Sequence, residues 1–561
     1  MRASPSPPFW HLYVPKLVSV LRRGYGWADF RGDLVAALTV AVVALPLSMA
    51  LAIASGASPE KGLHTAIIAG FLISALGGSR VQIGGPTAAF IPVVFVVIEK
   101  FGYGGLILCT LLAGLMLIAA GLLRLGTLMK FVPQPVIVGF TAGIAVTILS
   151  SQVKDALGLD VAKVPAEFFA RWQTYLDHLP SADLATIALT VGCIIAILVL
   201  RKIRQTAPVF LIVVLLGSLL VAVFGWDVST IATRFPGGIP SSLPSFAVPV
   251  IPFERTMELF PASFTIAFLA GVESLLSAVV ADGMIGGRHR SNAELVGQGV
   301  ANVASALFGG LPATGAISRT ATNVRAGARS PIAGMLHTVF LLVFMLVATR
   351  WMGYVPLPVL AAVLLVVAWN MAELQHIRHL MRGPLGDRLV LLVTFALTVM
   401  FDLTIAIEVG VVLASFLFMH RMSQMVEIAS GEKLIEEDEP DSLEARPDPR
   451  AGLPAGVEVF QISGPLFYAV TYRLDDVLDQ LFSPPQWFIL RLDGVPMTDA
   501  SGATALKQFL DRCQKQQIKV IFVGLREQPK RVLHDMHVLE HPQLIAHVAT
   551  LAEAKARVSA P

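Results

Sequence analysis

The chain has few charged residues and few cysteines. Charged residues make up 14% of its 561 residues, whereas soluble domains usually contain about a quarter, so most of the chain is expected to lie in a membrane. Its three cysteines, Cys109, Cys193 and Cys513, are not spaced as metal ligands or as a disulfide framework. No metal site or cofactor is therefore predicted, and we expect the first two cysteines to be buried packing residues.

Motifs for nucleotide hydrolysis and for nucleophilic catalysis are also missing. The sequence contains neither a phosphate-binding loop of the G-x-x-x-x-G-K-[ST] type nor a G-x-S-x-G turn. ATP-driven transport and membrane hydrolase chemistry are therefore not supported, and no enzyme activity is predicted. The first residues, MRASPSPPFWHLYVPK, lack the apolar core and cleavage site of a signal peptide, so residues 1–30 are interpreted as a cytoplasmic N-terminal arm.

Long apolar runs, by contrast, are abundant. Segments near the ~20 residues needed to cross a ~30 Å hydrocarbon core recur from Asp33 to Arg421. We interpret them as fourteen transmembrane segments, which makes residues 31–425 a transmembrane transport domain and the fold that of an α-helical polytopic membrane protein. With a cytoplasmic N-terminus, every second loop is rich in lysine and arginine, as the positive-inside rule requires. The same parity returns the C-terminus to the cytoplasm.

The character of the sequence changes near Val426. Residues 426–455 are acidic and rich in proline and glycine, which is typical of a solvated linker. Beyond them, VEVFQISGPLFYAV, WFILRLDGV and KVIFVGL have the composition of strands, and segments of helical periodicity alternate with them. This alternation predicts a cytoplasmic α/β domain over residues 456–561.

Two apolar stretches share an unusual pattern. IGGPTAAFIPVVF (Ile83–Phe95) and FGGLPATGAISRTATN (Phe308–Asn323) both carry a Gly-Gly pair, then a proline and a cluster of alanine and threonine. A helix from Pro86 to Glu99 would span ~18 Å and one from Gly315 to Val324 ~15 Å, so each crosses about half of the hydrocarbon core. Because the loop parity brings them in from opposite sides, we predict two half-helices whose N-termini face each other near the midplane.

Facing helix N-termini would make an anion site, because they expose unpaired N–H groups and carry partial positive charge. Pro86 suits the first turn, where no donor is needed, while Ser318 adds a hydroxyl and Arg319 a planar charged donor for an oxyanion. The small residues at the first break leave room for a ligand: Thr87, Ala88 and Ala89. Such stretches also occur in ordinary helix packing, but their matched positions in two seven-segment halves favour a transport site.

Glu273 is an acid within an apolar segment, FLAGVESLLSAVVADG. A charged carboxylate there costs at least ~2.5–3.5 kcal/mol, so Glu273 is expected to be protonated or paired. Its functional interpretation is a proton or cation site beside the anion site. The alternative is a protonated acid that hydrogen-bonds a neighbouring helix.

Two helix starts carry further candidate residues. In GGRHRSNAELVGQG (Gly286–Gly299), Ser291 or Asn292 is expected to be an N-cap, with Glu294 in the first turn. In the C-terminal domain, Ser501 follows a strand at a predicted helix start. It is a possible regulatory phosphosite, although an N-cap is the simpler role.

These motifs resemble those of the SulP anion transporters, the sulfate permease family, over essentially the whole chain. The resemblance rests on ALPLSMALAIASG, GGPTAAF, GVESLLSAVVADG, NAELVGQG, GAISRTATNVRAGARSP and FDLTIAIEVG. The C-terminal domain resembles a STAS domain, in which Ser501 of DASG matches a serine that is phosphorylated in related anti-sigma-factor antagonists. Within the family, the chain looks most similar to proteobacterial proton-coupled C4-dicarboxylate carriers.

The resemblance implies a 7+7 inverted repeat of 14 transmembrane segments, with core and gate subdomains that move like an elevator. It also implies a homodimer in the bacterial inner membrane, a coupling role for Glu273 with a proton or sodium, and a possible cytoplasmic protein partner of the STAS domain. It places substrate binding at Thr87, Ala88, Ala89, Ile317, Ser318 and Arg319. One departure is Pro46-Leu47-Ser48, because many members have Pro-Gln-Gly at this position. The loss of the glutamine removes a polar substrate-facing group and weakens the assignment of sulfate.

The leading functional hypothesis is secondary active, proton-coupled uptake of C4-dicarboxylates such as succinate or fumarate. The alternatives are a proton-coupled sulfate permease and a sodium-coupled bicarbonate transporter. A nucleobase permease is a further class with this kind of architecture, but Arg319 and the cytoplasmic domain argue against it. A last alternative makes the C-terminal domain an interaction module for a cytoplasmic protein. No nucleic-acid partner is expected.

Overall fold

The computed structural model divides the chain into two compact units, Met1–Val412 and Leu413–Pro561. The structure describes residues 9–127, 133–203, 208–235, 244–247, 253–401, 403–424, 427–430, 454, 456–467 and 484–559. Most of the predicted linker, residues 426–455, and the first eight residues of the predicted N-terminal arm lie outside the described residues. Each unit is described by itself.

The first unit is helical. Its helices, including α18, which continues past the unit boundary, are α1 (Lys16–Arg23), α2 (Trp27–Ala54), α3 (Pro59–Leu76), α4 (Ile91–Leu122), α5 (Gln134–Ser151), α6 (Val153–Leu157), α7 (Phe168–Asp177), α8 (Leu184–Ile203), α9 (Val209–Phe224), α10 (Ile231–Arg234), α11 (Phe253–Ile285), α12 (Ser291–Leu307), α13 (Ile317–Arg325), α14 (Pro331–Met352), α15 (Leu357–Met371), α16 (Leu374–Leu380), α17 (Leu385–Met400) and α18 (Leu403–Gln424). Among the described residues, eight helices are long and apolar enough to cross a membrane.

The predicted transmembrane segments correspond to these helices in chain order. The third and fourth predicted segments together form α4. The backbone of α4 is kinked at Gly102, where φ is +71°. Prolines at the first or second helical position begin several helices, including α3, α5 and α14, because an N–H group is not needed there. The prediction of a polytopic helical membrane protein is confirmed.

The helices pack in two groups, which correspond to the predicted core and gate subdomains. In the core group, α4 packs against α11 and α12, while α3 and α14 pack against α2. In the gate group, α5 packs against α15 and α17, and α8 packs against α9 and α15. The two transmembrane cysteines, Cys109 and Cys193, are buried and free, as predicted.

Glycines allow a close contact between α4 and α12 in the core group. A Cβ atom added at Gly299 of α12 would lie 2.6 Å from the carbonyl oxygen of Gly114 on α4. A Cβ at Gly114 would lie 2.8 Å from the carbonyl oxygen of Gly299. Because real Cβ atoms do not approach so closely, only hydrogen at both positions lets the two backbones touch.

The first unit also holds two short strands, β1 (Gly84–Gly85) and β2 (Thr314–Gly315). The second unit contains a five-stranded sheet whose strands lie side by side in chain order. The strands are β3 (Glu427–Ser430), β4 (Val457–Ser463), β5 (Trp487–Gly494), β6 (Lys519–Val523) and β7 (Leu544–Val548), and the helices are α19 (Ala500–Lys515), α20 (Glu527–Asp535) and α21 (Leu551–Val558). β3 is antiparallel to β4, whereas the other pairs are parallel. The α/β prediction is confirmed, but β3 lies within the segment that was expected to be linker, because strand pairing with β4 extends the sheet.

Replacement of Gly299 by alanine is expected to destabilise the protein. The added methyl group would force α4 and α12 apart, and overpacking of this kind costs typically ~1–3 kcal/mol. The measurement is thermal unfolding of the detergent-solubilised protein, followed with a dye that reacts with the buried cysteines as they become exposed.

Gly192→Ala on α8 is the matched control. Apart from the neighbouring backbone of α8 itself, no described atom lies within 4 Å of a Cβ atom added at Gly192. Alanine is also the better helix former. We therefore expect Gly192→Ala to leave the melting temperature unchanged or to raise it. Equal melting temperatures for the two variants would contradict the packing argument.

Candidate anion site

The two extended segments that precede the half-helices, here called the chain breaks, pair as short antiparallel strands. β1 (Gly84–Gly85) pairs with β2 (Thr314–Gly315), with Gly84 opposite Gly315 and Gly85 opposite Thr314. The amide of Ala316 extends the pairing by donating to the carbonyl oxygen of Ile83 at 2.8 Å. The breaks are therefore joined directly, so the two half-helices that follow them begin close together in the core group.

Glycine is required where the two breaks touch. Gly85 has φ of +147°, a backbone conformation that favours glycine, and a Cβ there would lie 2.8 Å from Nη1 of Arg319. A Cβ at Gly315 would lie 1.6 Å from Nε2 of Gln82. A larger residue at either position would displace the polar side chains that surround the pairing.

The half-helices begin slightly later than predicted. The first starts with a 3-10 turn at Ala88–Phe90 that leads into α4 at Ile91, and the second, α13, starts at Ile317. Pro86 was expected in the first helical turn, but it lies in the connection between β1 and the 3-10 turn. Pro92 occupies the first turn of α4 instead, because the strand pairing keeps the backbone extended through Gly85.

The predicted binding residues divide into buried and accessible groups. Ala88 and Ala89 are buried, and Thr87 is partly buried. On the other half-helix, Ile317 and Ser318 are exposed. The first N–H groups of a helix have no partner within the helix, so this accessible start of α13 offers backbone donors beside the hydroxyl of Ser318.

Arg319 is buried with unused hydrogen-bonding capacity. Its side chain is 2% exposed, and its Nη2 donates to the carbonyl oxygen of Pro86 on the opposite break. Its Nε and Nη1 have no hydrogen-bond partner among the described residues. A buried charge with unmatched donors is costly, so an anion that accepted these hydrogen bonds would be stabilised here.

Glu273 contacts the first half-helix directly. Its Oε2 accepts a hydrogen bond of 3.0 Å from Oγ1 of Thr87, so the structure brings the predicted coupling residue to a predicted substrate residue. α11, which carries Glu273, also binds the second break, because its Ala270 carbonyl oxygen accepts a hydrogen bond from Thr314 at 2.7 Å. One helix thus links the acid to both chain breaks.

Glu294 is a structural acid whose hydrogen bonds were not predicted. It lies in the first turn of α12, as predicted, but the N-cap is Arg290, without a side-chain cap, and not Ser291 or Asn292. Glu294 is 1% exposed, and its Oε2 accepts hydrogen bonds from the amides of Gly78 and Ser79 at 2.7 and 3.1 Å. A glutamate after serine and asparagine resembles a capping box, and only the close approach of α3 reveals the other role.

Glu294 also binds α11 next to Glu273. Its Oε1 accepts from Oγ of Ser274 at 2.9 Å and from Nε2 of Gln298 at 3.0 Å. Gln82, two residues before β1, donates to Oγ of Ser274 at 2.9 Å. This network fixes the chain before the first break relative to α11, and hence Thr87 relative to Glu273.

Side chains of neighbouring helices hydrogen-bond the backbone of the second break. Asn302 donates to the carbonyl oxygen of Ala313 at 2.8 Å and accepts from its amide at 2.9 Å. The amide of Leu311 donates to Oγ1 of Thr65 at 2.6 Å, and its carbonyl oxygen accepts from Ser305 at 2.7 Å. Backbone groups freed by the break are thus satisfied within the protein, as a membrane interior requires.

Ser501 lies exposed in the first turn of α19. Asp499, and not Ser501, is the N-cap, because its side chain accepts a hydrogen bond from the amide of Gly502 at 2.8 Å. Phosphorylation of Ser501 stays a prediction.

Comparisons with known proteins agree with this architecture. A model of the "Sulfate permease family" matches residues 30–394, and a model of the "STAS domain" matches residues 450–551. A Bacillus subtilis protein named "Putative sulfate transporter YvdB" is 42% identical over 514 residues, covering 91% of this chain and 94% of that protein.

Two solved structures share the fold. The murine Slc26a9 anion transporter in the inward-facing state has a TM-score of 0.85 at 18% identity, covering 100% of this chain and 96% of that one. The transmembrane domain of a cyanobacterial bicarbonate transporter, BicA, has a TM-score of 0.61 at 28% identity, covering 70% of this chain and 98% of that one. These comparisons do not support the expected resemblance to C4-dicarboxylate carriers, because YvdB is named for sulfate and BicA for bicarbonate.

Replacement of Arg319 by glutamine is expected to weaken sulfate binding by about tenfold or more. The variant loses a buried charge whose hydrogen bonds to an anion are worth ~1.5–3 kcal/mol. Isothermal titration of the detergent-solubilised protein with sulfate measures the change in Kd.

Arg325→Gln is the matched control, because Arg325 is exposed at the other end of α13. Its sulfate affinity is expected to equal that of the unmodified protein. Melting temperatures of both variants exclude general unfolding as the cause. Unchanged affinity in a folded Arg319→Gln protein would contradict the ligand role.

Proposed function

We propose, from the premise that the chain belongs to the sulfate permease family, that it is a secondary transporter of small oxyanions with sulfate as its first substrate. The members of this family are anion transporters and not enzymes. The observation that carries the choice of an anion is the buried Arg319, whose Nε and Nη1 are unpaired among the described residues beside the start of a half-helix. The relative named as a sulfate transporter, 42% identical, favours sulfate.

Sulfate suits these donors chemically. Its tetrahedral oxygens accept hydrogen bonds from backbone N–H groups at a helix N-terminus, from the Ser318 hydroxyl and from the planar guanidinium of Arg319. Bicarbonate is the second candidate, because the similar transmembrane domain of BicA is that of a bicarbonate transporter. The C4-dicarboxylates of the leading sequence hypothesis come third.

Transport would follow from the arrangement of core and gate groups. Both chain breaks and the helix that carries Glu273 belong to the core group, so an anion bound between the half-helices would travel with that group as it moves against the gate. This elevator-like movement exposes one site alternately to the two sides without rebuilding it.

Proton coupling is assigned to Glu273. Its carboxyl accepts the Thr87 hydroxyl hydrogen bond, so it lies at the edge of the same site that would hold the anion. Protonation removes a negative charge next to an incoming anion, which would make binding of a proton and of sulfate mutually favourable. If sodium is the coupling ion instead, its positive charge would compensate the negative charge of the same Glu273 carboxylate.

The remaining assignments follow the family resemblance. We place the protein in the bacterial inner membrane with both termini in the cytoplasm, and as a homodimer. The C-terminal domain is assigned to regulation or assembly through a cytoplasmic protein partner, with Ser501 as the candidate phosphosite.

The test is uptake of labelled sulfate, bicarbonate and fumarate into proteoliposomes, with and without an inward proton gradient. We expect sulfate uptake that the gradient accelerates. Fumarate uptake without sulfate uptake would return the assignment to a dicarboxylate carrier. Bicarbonate uptake that requires sodium, again without sulfate uptake, would make the protein a bicarbonate transporter.

Glu273→Gln is expected to uncouple uptake from the proton gradient. Glutamine keeps an acceptor for Thr87 but cannot take up a proton, so sulfate binding should persist while uptake becomes insensitive to the gradient. Comparison of sulfate Kd by titration with uptake at several external pH values separates the two effects. Gradient-driven acceleration that survives in this variant would place the coupling site elsewhere.

A further inference from the structure

A cleft rich in positive charge lies between α1 and the adjoining ends of the core group. We call it the basic cleft. Its five cationic lining residues are Lys16, Arg23, Arg80, Arg290 and Arg329. Asp29 is the one carboxylate among the described residues that line it, so the cleft carries a large excess of positive charge.

The carboxylates nearest to the cleft are already engaged. Asp29 pairs with Arg329 at 3.1 Å between Oδ1 and Nη1. Asp33 is fully buried and accepts hydrogen bonds from the Tyr25 hydroxyl at 2.8 Å and from the amide of Arg329 at 2.7 Å. Asp282 also attracts the Lys16 ammonium group, and its Oδ2 lies 2.7 Å from Nδ1 of His289. These three acids compensate only part of the charge of the five cationic residues.

The other cations are bound by neutral groups. Nη1 of Arg290 donates to the carbonyl oxygen of Val14 at 2.7 Å and to Oγ of Ser19 at 3.0 Å, and Lys16 donates to the carbonyl oxygen of Arg288. Nε of Arg80 is buried without a partner among the described residues. Hydrogen bonds to neutral acceptors orient these side chains but leave their charge unmatched.

The cations are close enough to repel one another. Burial, and then repulsion by Arg290, lower the pKa of Lys16; Asp282 acts against them, and Arg23 and Arg80 lower the pKa further. Burial and then Arg23 lower the pKa of Arg290. A bound anion would relieve this repulsion and would accept the unused donors.

The position of α1 indicates where such an anion comes from. Its sequence, KLVSVLRR, combines basic residues with apolar ones, and Leu21 is 53% exposed. Close by, at the start of α2, Trp27 is 72% exposed and stacks on Phe30. Exposed apolar and tryptophan side chains next to basic residues are typical of segments that lie at the membrane–water interface.

We propose that the basic cleft binds the phosphate group of an anionic phospholipid headgroup. Arginine and lysine hold phosphate through charge-assisted hydrogen bonds, and basic pockets at the cytoplasmic ends of transmembrane helices suit lipid headgroups. The loops that supply Arg80 and Arg290 are joined by a hydrogen bond of 3.0 Å from the Arg290 amide to the Gly78 carbonyl oxygen. A bound headgroup would therefore stabilise the same turn that Glu294 holds.

The test uses the purified full chain in a neutral detergent, titrated with phosphatidylglycerol, phosphatidylcholine or inorganic phosphate. The rise in melting temperature with concentration gives an apparent affinity. We expect phosphatidylglycerol to stabilise the protein at far lower concentration than either of the other probes. Equal stabilisation by phosphatidylcholine would overturn the proposal, and equal stabilisation by inorganic phosphate would reassign the cleft to a free oxyanion.

The variant Arg23→Gln/Arg80→Gln tests the residues. Neither side chain hydrogen-bonds to another described residue, so we expect the double variant to fold. The apparent affinity for phosphatidylglycerol should fall by about tenfold or more, because the variant removes two basic residues that attract the anionic headgroup. Lys202→Gln, an exposed lysine at the end of α8, is the control and should bind as the unmodified protein does. Equal phosphatidylglycerol affinity in the two variants would refute the assignment.

Discussion

The pairing of β1 with β2 is the contact on which the rest of the candidate site depends. Two helices are interrupted inside an apolar domain, and each interruption frees backbone groups that hydrocarbon cannot satisfy. The antiparallel pairing of Gly84–Gly85 with Thr314–Gly315 lets one break satisfy part of the other. Because the half-helices follow directly, the same pairing places both of their N-termini in one region of the core group.

The buried charges near this pairing have opposite roles. Glu294 accepts four hydrogen bonds from neutral donors, so its carboxylate is fully used in joining α3, α11 and α12. Arg319 instead gives one hydrogen bond to Pro86 and keeps two nitrogens unpaired among the described residues. A satisfied acid supports the architecture, whereas an unsatisfied cation leaves a position for an anion. That difference is the physical reason to assign binding to Arg319 and support to Glu294.

Much of this arrangement could be predicted from the sequence, but the exact contacts could not. Glycine pairs, small residues and loop charge predicted both breaks, and the apolar surroundings of Glu273 marked it as a candidate coupling residue. The strand pairing was missed because a Gly-Gly pair carries no strand signal of its own. Pro86 was placed in a helical turn for the same reason, since the extended backbone at Gly85 comes from a partner more than two hundred residues away. The motif resemblance identified the family correctly, yet its finer likeness to dicarboxylate carriers is not supported.

The most direct test of the central claim is a structure of the protein with selenate, a sulfate analogue whose anomalous scattering locates it without assumptions. We expect one strong peak between the two half-helix N-termini, within hydrogen-bonding distance of Ser318 or the Arg319 guanidinium and close to Thr87–Ala89. A peak elsewhere in the core group, with none at this position, would contradict the claim that the paired chain breaks build the anion site.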